Sequence, residues 1–244
     1  MDKPDLGIVL DVDGAVCGFI GAIYSRRDIR GATVRCCNLT SIAVDDKHRG
    51  HTLKMFAALF ADKDVSFTCF SASEEVAKIL DFFKFKHRAS ERIVATPLSG
   101  LTGAWSAHRV EVVTSPRALD AALTTDELTI ARDHRAYRCG QLLLVSGQRR
   151  CFVVTIRRGR GARAFADVLH ASDPELLMTH LSRVHGPLFR AHRTLLTGID
   201  RAWVAHQPAA SFVYRNLRPV YLRSSALQLD EVDALYSELV PMYG

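Results

Sequence analysis

The sequence has no continuous apolar stretch that approaches the ~18 residues a helix needs to cross a bilayer. Its first residues, Met-Asp-Lys-Pro-Asp, do not resemble the start of a secretory signal peptide. We therefore expect a soluble cytoplasmic protein without a membrane partner. Its 244 residues, of which 48% are hydrophobic, are enough for one large domain or two small ones.

Metal-binding and disulfide patterns are also missing. The six cysteines show neither the Cys-x-x-Cys spacing of a zinc site nor the density of a disulfide-rich secreted domain. Most lie in apolar, strand-like stretches, and we expect them to be buried and reduced. Three histidines, His180, His185 and His192, share one predicted helix but lack carboxylate or cysteine partners. We expect no metal cofactor.

The formal net charge of +6 favours anionic partners. Basic residues concentrate in the second half, at Arg149-Arg150 and between Arg157 and Arg163. One interpretation of the second stretch is a solvated hairpin turn, and the other is a contact with an anion or RNA. Because the stretch lacks the interleaved aromatic residues that stack on bases, nucleic acid is the less favoured partner.

The most informative feature that is present is a strand that leads through a basic turn into an amphipathic helix, over residues 41–60. The turn and the start of the helix contribute Lys47, Arg49 and Lys54. Free N–H groups of a first helical turn, the positive end of the helix dipole and these cations all favour a bound anion. The segment predicts a site for a nucleotide-like or coenzyme-like ligand.

The elements after this turn narrow the prediction. A short apolar strand over residues 65–70 leads through small polar residues to a helix at 76–83, and Lys84-Phe85 opens another strand. The order strand, basic turn, helix, strand, helix, strand over residues 6–97 resembles the GCN5-related N-acetyltransferase (GNAT) superfamily.

The family signature at the turn reads Arg/Gln-x-x-Gly-x-Gly/Ala. Arg49 matches it, whereas Thr52 and Lys54 replace the two small residues that let phosphates approach the backbone. The tyrosine that often protonates the departing thiolate in the family corresponds to Leu80. The resemblance therefore predicts an altered coenzyme site.

The resemblance implies acetyl-CoA, or another acyl-CoA, as a co-substrate that donates its acyl group to an amine of a small-molecule acceptor. Strand residues would pair with the pantetheine arm and the turn would hold the pyrophosphate. The implied coenzyme-binding residues are Ile42, Ala43, Val44, Arg49, Gly50, His51, Thr52, Leu53, Lys54 and Ser73.

No catalytic base is evident from the residues. Asn38 lies on the strand that leads to the turn, and Asp11 lies on an earlier strand. Either side chain could touch the acceptor, and either could equally face solvent. We retain both as candidate catalytic residues.

The second half repeats the order hairpin, strand, helix, strand, although the residues themselves barely match. We interpret the chain as a tandem of two GNAT-like units, an α/β (α+β) fold with two mixed sheets and flanking helices. The turn equivalent to the basic one runs from His170 to Leu177 and carries Asp173 and Glu175, which repel phosphate. We expect no coenzyme site there.

The expected division is an N-terminal unit with the acyl-CoA site at 1–99, a linker at 100–110 and a C-terminal unit at 111–244. A strand at 92–96 is expected to close the first unit. Residues 230–240 predict an amphipathic terminal helix with Val232, Leu235 and Leu239 on its apolar side.

Few residues precede the first predicted strand, so the two helices that the family places before its sheet are expected to be absent. Those helices normally form part of the acceptor pocket. Its wall would then come from the second unit or from a partner chain, such as the second copy of a homodimer.

Three functions follow as hypotheses. The first is an acetyl-CoA-dependent N-acyltransferase. The second is a non-catalytic tandem GNAT-like protein for ligand sensing or assembly, favoured by Leu80, Thr52 and Lys54. The third is a basic nucleic-acid-binding protein, supported by charge alone.

Overall fold

The computed structural model describes residues 6–99, 110–215 and 217–243. Their strands are β1 (Gly7–Val12), β2 (Ala15–Ile29), β3 (Ala32–Val44), β4 (Val65–Cys69), β5 (Lys86–Arg88), β6 (Arg92–Ala95), β7 (Glu111–Val113), β8 (Gly140–Ser146), β9 (Arg149–Arg158), β10 (Phe165–Ala171), β11 (Leu196–Asp200), β12 (Ser211–Tyr214) and β13 (Val220–Arg223). Their α-helices are α1 (Thr52–Leu59), α2 (Glu74–Phe82), α3 (Pro116–Ala122), α4 (Thr125–Asp133), α5 (Pro174–Thr179), α6 (Leu181–His192) and α7 (Leu239–Tyr243). None of these helices is long and apolar enough to cross a membrane.

Two compact units each contain one mixed sheet, so the predicted α/β class with two such sheets is confirmed. The first unit comprises Met1–Ala89, Arg218–Val232 and Tyr236–Glu238, and the second comprises Ser90–Leu217, Asp233–Leu235 and Leu239–Gly244. The chain therefore enters each unit more than once. The expected linker at 100–110 lies, except for Val110, outside the described residues.

The first unit has the strand order β1-β2-β3-β4-β13-β5. Strands β1 to β3 form an antiparallel meander, and β3 pairs in parallel with β4 after a crossover through α1. Aromatic rings fill the core beneath α1. The ring centroid of Phe60 lies 4.9 Å from that of Phe67 and 5.1 Å from that of Phe85. Burial of these rings explains why the Phe-rich sequence after the basic turn folds onto the sheet.

The second unit has the strand order β12-β6-β11-β10-β9-β8-β7. Our expectation that the strand at 92–96 closes the first unit is wrong, because β6 pairs with β11 and β12. Ion pairs hold β6 in the second sheet. Arg92 is buried, and its guanidinium finds carboxylate partners at Asp167 and Asp200, on β10 and β11.

The predicted terminal helix at 230–240 is also wrong. A short 3-10 turn covers Leu229–Glu231, and α7 begins only at Leu239. Asp233 accepts a hydrogen bond from the Leu235 N–H and pairs with Nδ1 of His170 at 2.8 Å. An aspartate used in this way competes with helical hydrogen bonding, and the apolar residues are buried without a helix.

A network of buried charges holds the centre of the second sheet. Arg92 contacts Asp167 at 2.7 Å and Asp200 at 3.0 Å, and Arg158 contacts the other oxygen of Asp167 at 2.7 Å. Removing one partner of a buried ion pair leaves a carboxylate without compensation in a poorly solvated position. The network therefore fixes which strands can lie side by side.

We expect Arg92→Ala to lower the free energy of unfolding by about 3–5 kcal/mol, because Asp167 and Asp200 each lose a contact with a buried cation. Arg35→Ala is the matched control, since Arg35 pairs with Asp62 at the surface and should cost at most about 1 kcal/mol. Urea unfolding followed by circular dichroism measures both variants. Equal, small losses would show that the buried network contributes little.

His192 makes the second unit sensitive to acid. Its side chain is 4% exposed, and its Nε2 lies 2.8 Å from the Thr155 hydroxyl. Burial, helped by the positive charge of Arg157, lowers the pKa of His192 to about 4. The unfolded chain, with a pKa near ~6.5, binds the proton more readily than the folded chain.

The contribution of His192 to the free energy of unfolding should therefore be fully present above pH ~6.5. It should fall as the pH drops towards the pKa of His192 in the folded chain, by up to about 3 kcal/mol. His192→Gln keeps a donor near Thr155 but cannot titrate. Urea midpoints at pH 7 and pH 4.5 should thus differ less in this variant than in the wild type. If the two midpoints differ as much in His192→Gln as in the wild type, His192 is not the group that causes the loss of stability in acid.

Candidate functional site

The parallel strands β3 and β4 part in the middle of the first sheet. In the described residues their pairing runs only from Arg35 with Val65 to Asn38 with Thr68. Strand β3 then continues to Val44 beside β2, while β4 ends at Cys69. From residue 39 to residue 44, β3 is thus paired on the β2 side alone, and its other edge is available to an extended ligand.

An irregularity in β3 accompanies this opening. Ile42 pairs with Ile20 and Leu39 pairs with Ala22, so Thr40 and Ser41 together lie opposite the single residue Gly21. A side chain at Gly21 would collide with the Thr40 hydroxyl, which explains the glycine. Because such bulges bend a strand and increase its twist, this one helps to separate β3 from β4.

A polar cluster lies where the strands part. The Asn38 Nδ2 donates to Oε2 of Glu238 at 2.5 Å, and the Thr68 hydroxyl donates to Oδ1 of Asn38 at 3.1 Å. The Ser71 hydroxyl donates to the other oxygen of Glu238. Asn38, Thr68 and Glu238 are all buried. In the described chain no basic side chain pairs with Glu238, which is therefore held by neutral donors alone.

The basic turn is wound more tightly than the sequence suggests. A 3-10 helix over Asp46–His51 runs directly into α1, and the His48 and Thr52 N–H groups donate to Asp45 and Arg49 carbonyls. The expectation that a bare helical N-terminus offers free donors is therefore only partly met, because some donors are used within the turn.

The charge of the turn is also lower than expected. Arg49 pairs with Asp46 at 2.7 Å, and Asp45 lies beside it in sequence. Both members of the pair are largely exposed, so the contact is weak and easily exchanged for another partner. Lys47 and Lys54 are exposed. The turn thus remains able to attract an anion, with a smaller excess of positive charge.

The remaining predicted coenzyme residues lie on these same two elements, with one exception. Ile42, Ala43 and Val44 form the free edge of β3. Space is open above the backbone of Gly50, where a side chain would meet no neighbour within 4 Å. His51, Thr52, Leu53 and Lys54 follow at the start of α1, whereas Ser73 caps α2 by accepting from the Val76 N–H.

The two acceptor-side candidates occupy different environments. Asn38 lies in the polar cluster at the opening. Asp11 is exposed near the end of the β1–β2 hairpin, where its carboxylate accepts from the Gly14 N–H at 3.0 Å. The structure thus gives Asp11 a contact in the turn. Among the described residues, no group of three or more side chains could hold a metal ion.

Sequence reasoning missed Glu238. The residue is separated from Asn38 by 200 positions and falls in the segment that we predicted to be an amphipathic helix. The available signal was a single carboxylate followed by the apolar run Leu239-Val240. A buried acidic residue without a cation is uncommon and marks candidate functional sites.

No protein-family model matches the chain, and no curated protein matches its sequence. Solved structures do match its fold. A GCN5-related N-acetyltransferase from Anabaena variabilis is 11% identical, with 88% of this chain and 61% of that chain covered and a TM-score of 0.51. A GCN5-related N-acetyltransferase from Kribbella flavida is 13% identical, with 88% and 59% covered and a TM-score of 0.50.

The chain therefore spans about three fifths of the length of these two proteins. At such low identity the likeness establishes the fold. The chain has a GNAT-like fold, as its resemblance to that family predicted, and its two mixed sheets fit the expected tandem arrangement.

Proposed function

We propose that this protein is an N-acyltransferase that uses acetyl-CoA, or another acyl-CoA, to acylate the amine of a small molecule. The observation that carries the proposal is the opening between β3 and β4, with a free strand edge on one side and the buried carboxylate of Glu238 at its start. The GNAT-like fold supports it, since GCN5-related N-acetyltransferases are among the proteins with this fold.

The coenzyme would lie along β3 and across the basic turn. Main-chain groups of Ile42, Ala43 and Val44 would pair with its pantetheine arm. Arg49, Thr52 and Lys54 would contact its phosphates, near the open space at Gly50. Releasing Arg49 from Asp46 costs at most about 1 kcal/mol because the pair is exposed.

When bound, the coenzyme supplies an acyl group activated as a thioester. Glu238 would accept the proton that the amine loses as the new C–N bond forms and the C–S bond breaks. Asn38 and Ser71 hold the carboxylate in place through its two oxygens. Leu80 is fully buried and carries no acid, so the departing thiolate would take its proton from water.

We expect acetyl-CoA to raise the melting temperature of the wild type, because a ligand that binds only the folded state stabilises it. Lys54→Ala should reduce that rise at every coenzyme concentration. Lys78→Ala is the matched control, since Lys78 is an exposed helical lysine on α2. Absence of any shift at millimolar acetyl-CoA would refute the coenzyme site.

Glu238→Gln tests the proposed base. In a thiol-release assay with a panel of amines, this variant should lower kcat by on the order of 10²-fold or more and leave the acyl-CoA KM nearly unchanged. Glu74→Gln, an exposed glutamate on α2, serves as the control. Equal rates for both variants would exclude Glu238 as the base.

A second candidate function is a tandem GNAT-like protein that senses a ligand or assembles without catalysis. The buried Leu80 favours it, because no phenol is available at the position of the family tyrosine. Stabilisation by acetyl-CoA together with no thiol release across the amine panel would select this function over transfer.

A further inference from the structure

The second unit contains a cavity of about 720 Å³ with a strongly basic wall. It lies where β9 and α6 end, and its lining includes Arg138, Arg157, Arg158, Arg160 and Arg193. Among the residues that the structure describes, no aspartate or glutamate belongs to this lining. A concave site of this volume is large enough to enclose a metabolite-sized ligand.

Four of these arginines differ in their pairing from Arg149 and Arg150 of the same unit. Arg149 pairs with Asp173, and Arg150 pairs with Glu127. By contrast, no ion pair in the described part of the chain involves the four cavity arginines Arg138, Arg157, Arg160 and Arg193. Positive charges that share one concave wall without carboxylates reinforce each other's attraction for an anion.

The remaining arginine is held rigidly on the same wall. Arg158 contacts Asp167 at 2.7 Å, and its guanidinium lies 5.4 Å from the ring centroid of Tyr243, which also lines the cavity. The positive charge of this wall also acts on the neighbouring His192, whose pKa is lowered by burial and by the charge of Arg157. Arg158 and the four arginines without an ion pair to a described residue thus form one basic surface.

Arg193 occupies a position that usually belongs to glycine. It ends α6 with φ 55° and ψ 39°, the left-handed conformation in which a side chain is strained. Glycine there would remove the strain and also the charge. The sequence retains a guanidinium on the cavity wall despite the conformational cost.

We propose that this cavity binds a small, multiply charged phosphate ligand of about the size of a nucleoside polyphosphate. Guanidinium groups recognise phosphate oxygens through paired, charge-assisted hydrogen bonds, and several of them around one cavity suit a di- or triphosphate better than a single carboxylate. The site is distinct from the acidic β10–α5 turn of the same unit, where Asp173 and Glu175 pair with Arg149.

Calorimetric titration of the full chain with inorganic tripolyphosphate, and separately with ATP, tests the proposal. We expect binding to the wild type that weakens with salt, and a loss of affinity on the order of tenfold in Arg193→Gly and in Arg157→Gln. Arg135→Gln is the matched control, because Arg135 is paired with Asp120 outside the cavity, and it should bind like the wild type.

Arg193→Gly separates binding from folding, because it relieves the left-handed strain and should keep or raise the melting temperature. No binding of either probe at millimolar concentration would overturn the proposal. So would an equal loss in Arg135→Gln, or tight binding of an RNA oligonucleotide that tripolyphosphate does not displace.

The phosphates of an acyl-CoA could also supply this chemistry. Titration of acetyl-CoA into Arg193→Gly and Lys54→Ala distinguishes the two sites. Loss of acetyl-CoA binding in Lys54→Ala alone, with tripolyphosphate binding intact, supports two separate sites. Loss of both ligands in Arg193→Gly alone supports the cavity and removes the proposed coenzyme site at the basic turn.

Discussion

The parallel pairing of β3 with β4 ends at Asn38 and Thr68, and the first unit is organised around that end point. Before it, the two strands form part of a continuous sheet with α1 packed over its aromatic core. After it, the bulge opposite Gly21 turns β3 away and exposes a strand edge. Without the separation, the edge of β3 beyond Asn38 would be filled by backbone pairing with β4.

The second unit is organised around the balance of its buried charges. Where Arg92 and Arg158 enter the sheet, Asp167 and Asp200 meet them, and the unit tolerates buried ions because each has an opposite charge nearby. At the end of β9 the pattern changes within two residues. Arg158 pairs with Asp167, whereas Arg157 and Arg160 have no ion pair within the described part of the chain. The end of β9 and the residues after it thus supply both a structural ion pair and a basic surface.

Most of the local structure follows from local sequence, and the misplaced strands depend on long-range pairing. The hairpin, the meander and the strand–turn–helix at 41–60 follow from alternation, turn residues and helical periodicity, which act over a few residues. The placement of β6 depends on carboxylates far along the chain, and β13 inserts between β4 and β5 from near the opposite end of the sequence. No local pattern encodes those pairings.

The same limit applies to the site. The strand edge at Ile42–Val44 and the basic residues of the turn were predictable because they are adjacent in sequence. Glu238 was not, since its meeting with Asn38 is a property of the folded chain. The 3-10 winding that consumes part of the turn's donors was also missed, although Asp45 and Asp46 at its start are residues that favour such turns.

The basic turn and the arginine-lined cavity both contribute to the net charge of +6, but they differ in how many carboxylates lie nearby. We therefore expect them to prefer different anions. At the turn, Asp45 and Asp46 directly precede the cations, and the ion pair of Arg49 with Asp46 is exposed to water. Attraction for an anion is therefore weak there and depends on the shape supplied by the strand edge. No aspartate or glutamate of the described residues lines the cavity, and a concave wall concentrates the field of its arginines. An anion with several charges therefore gains more from the cavity than from the turn, whereas an extended ligand with an amide-bearing arm gains more from β3. Charge therefore favours anion binding in the cavity, whereas the free strand edge favours binding of an extended ligand at the turn.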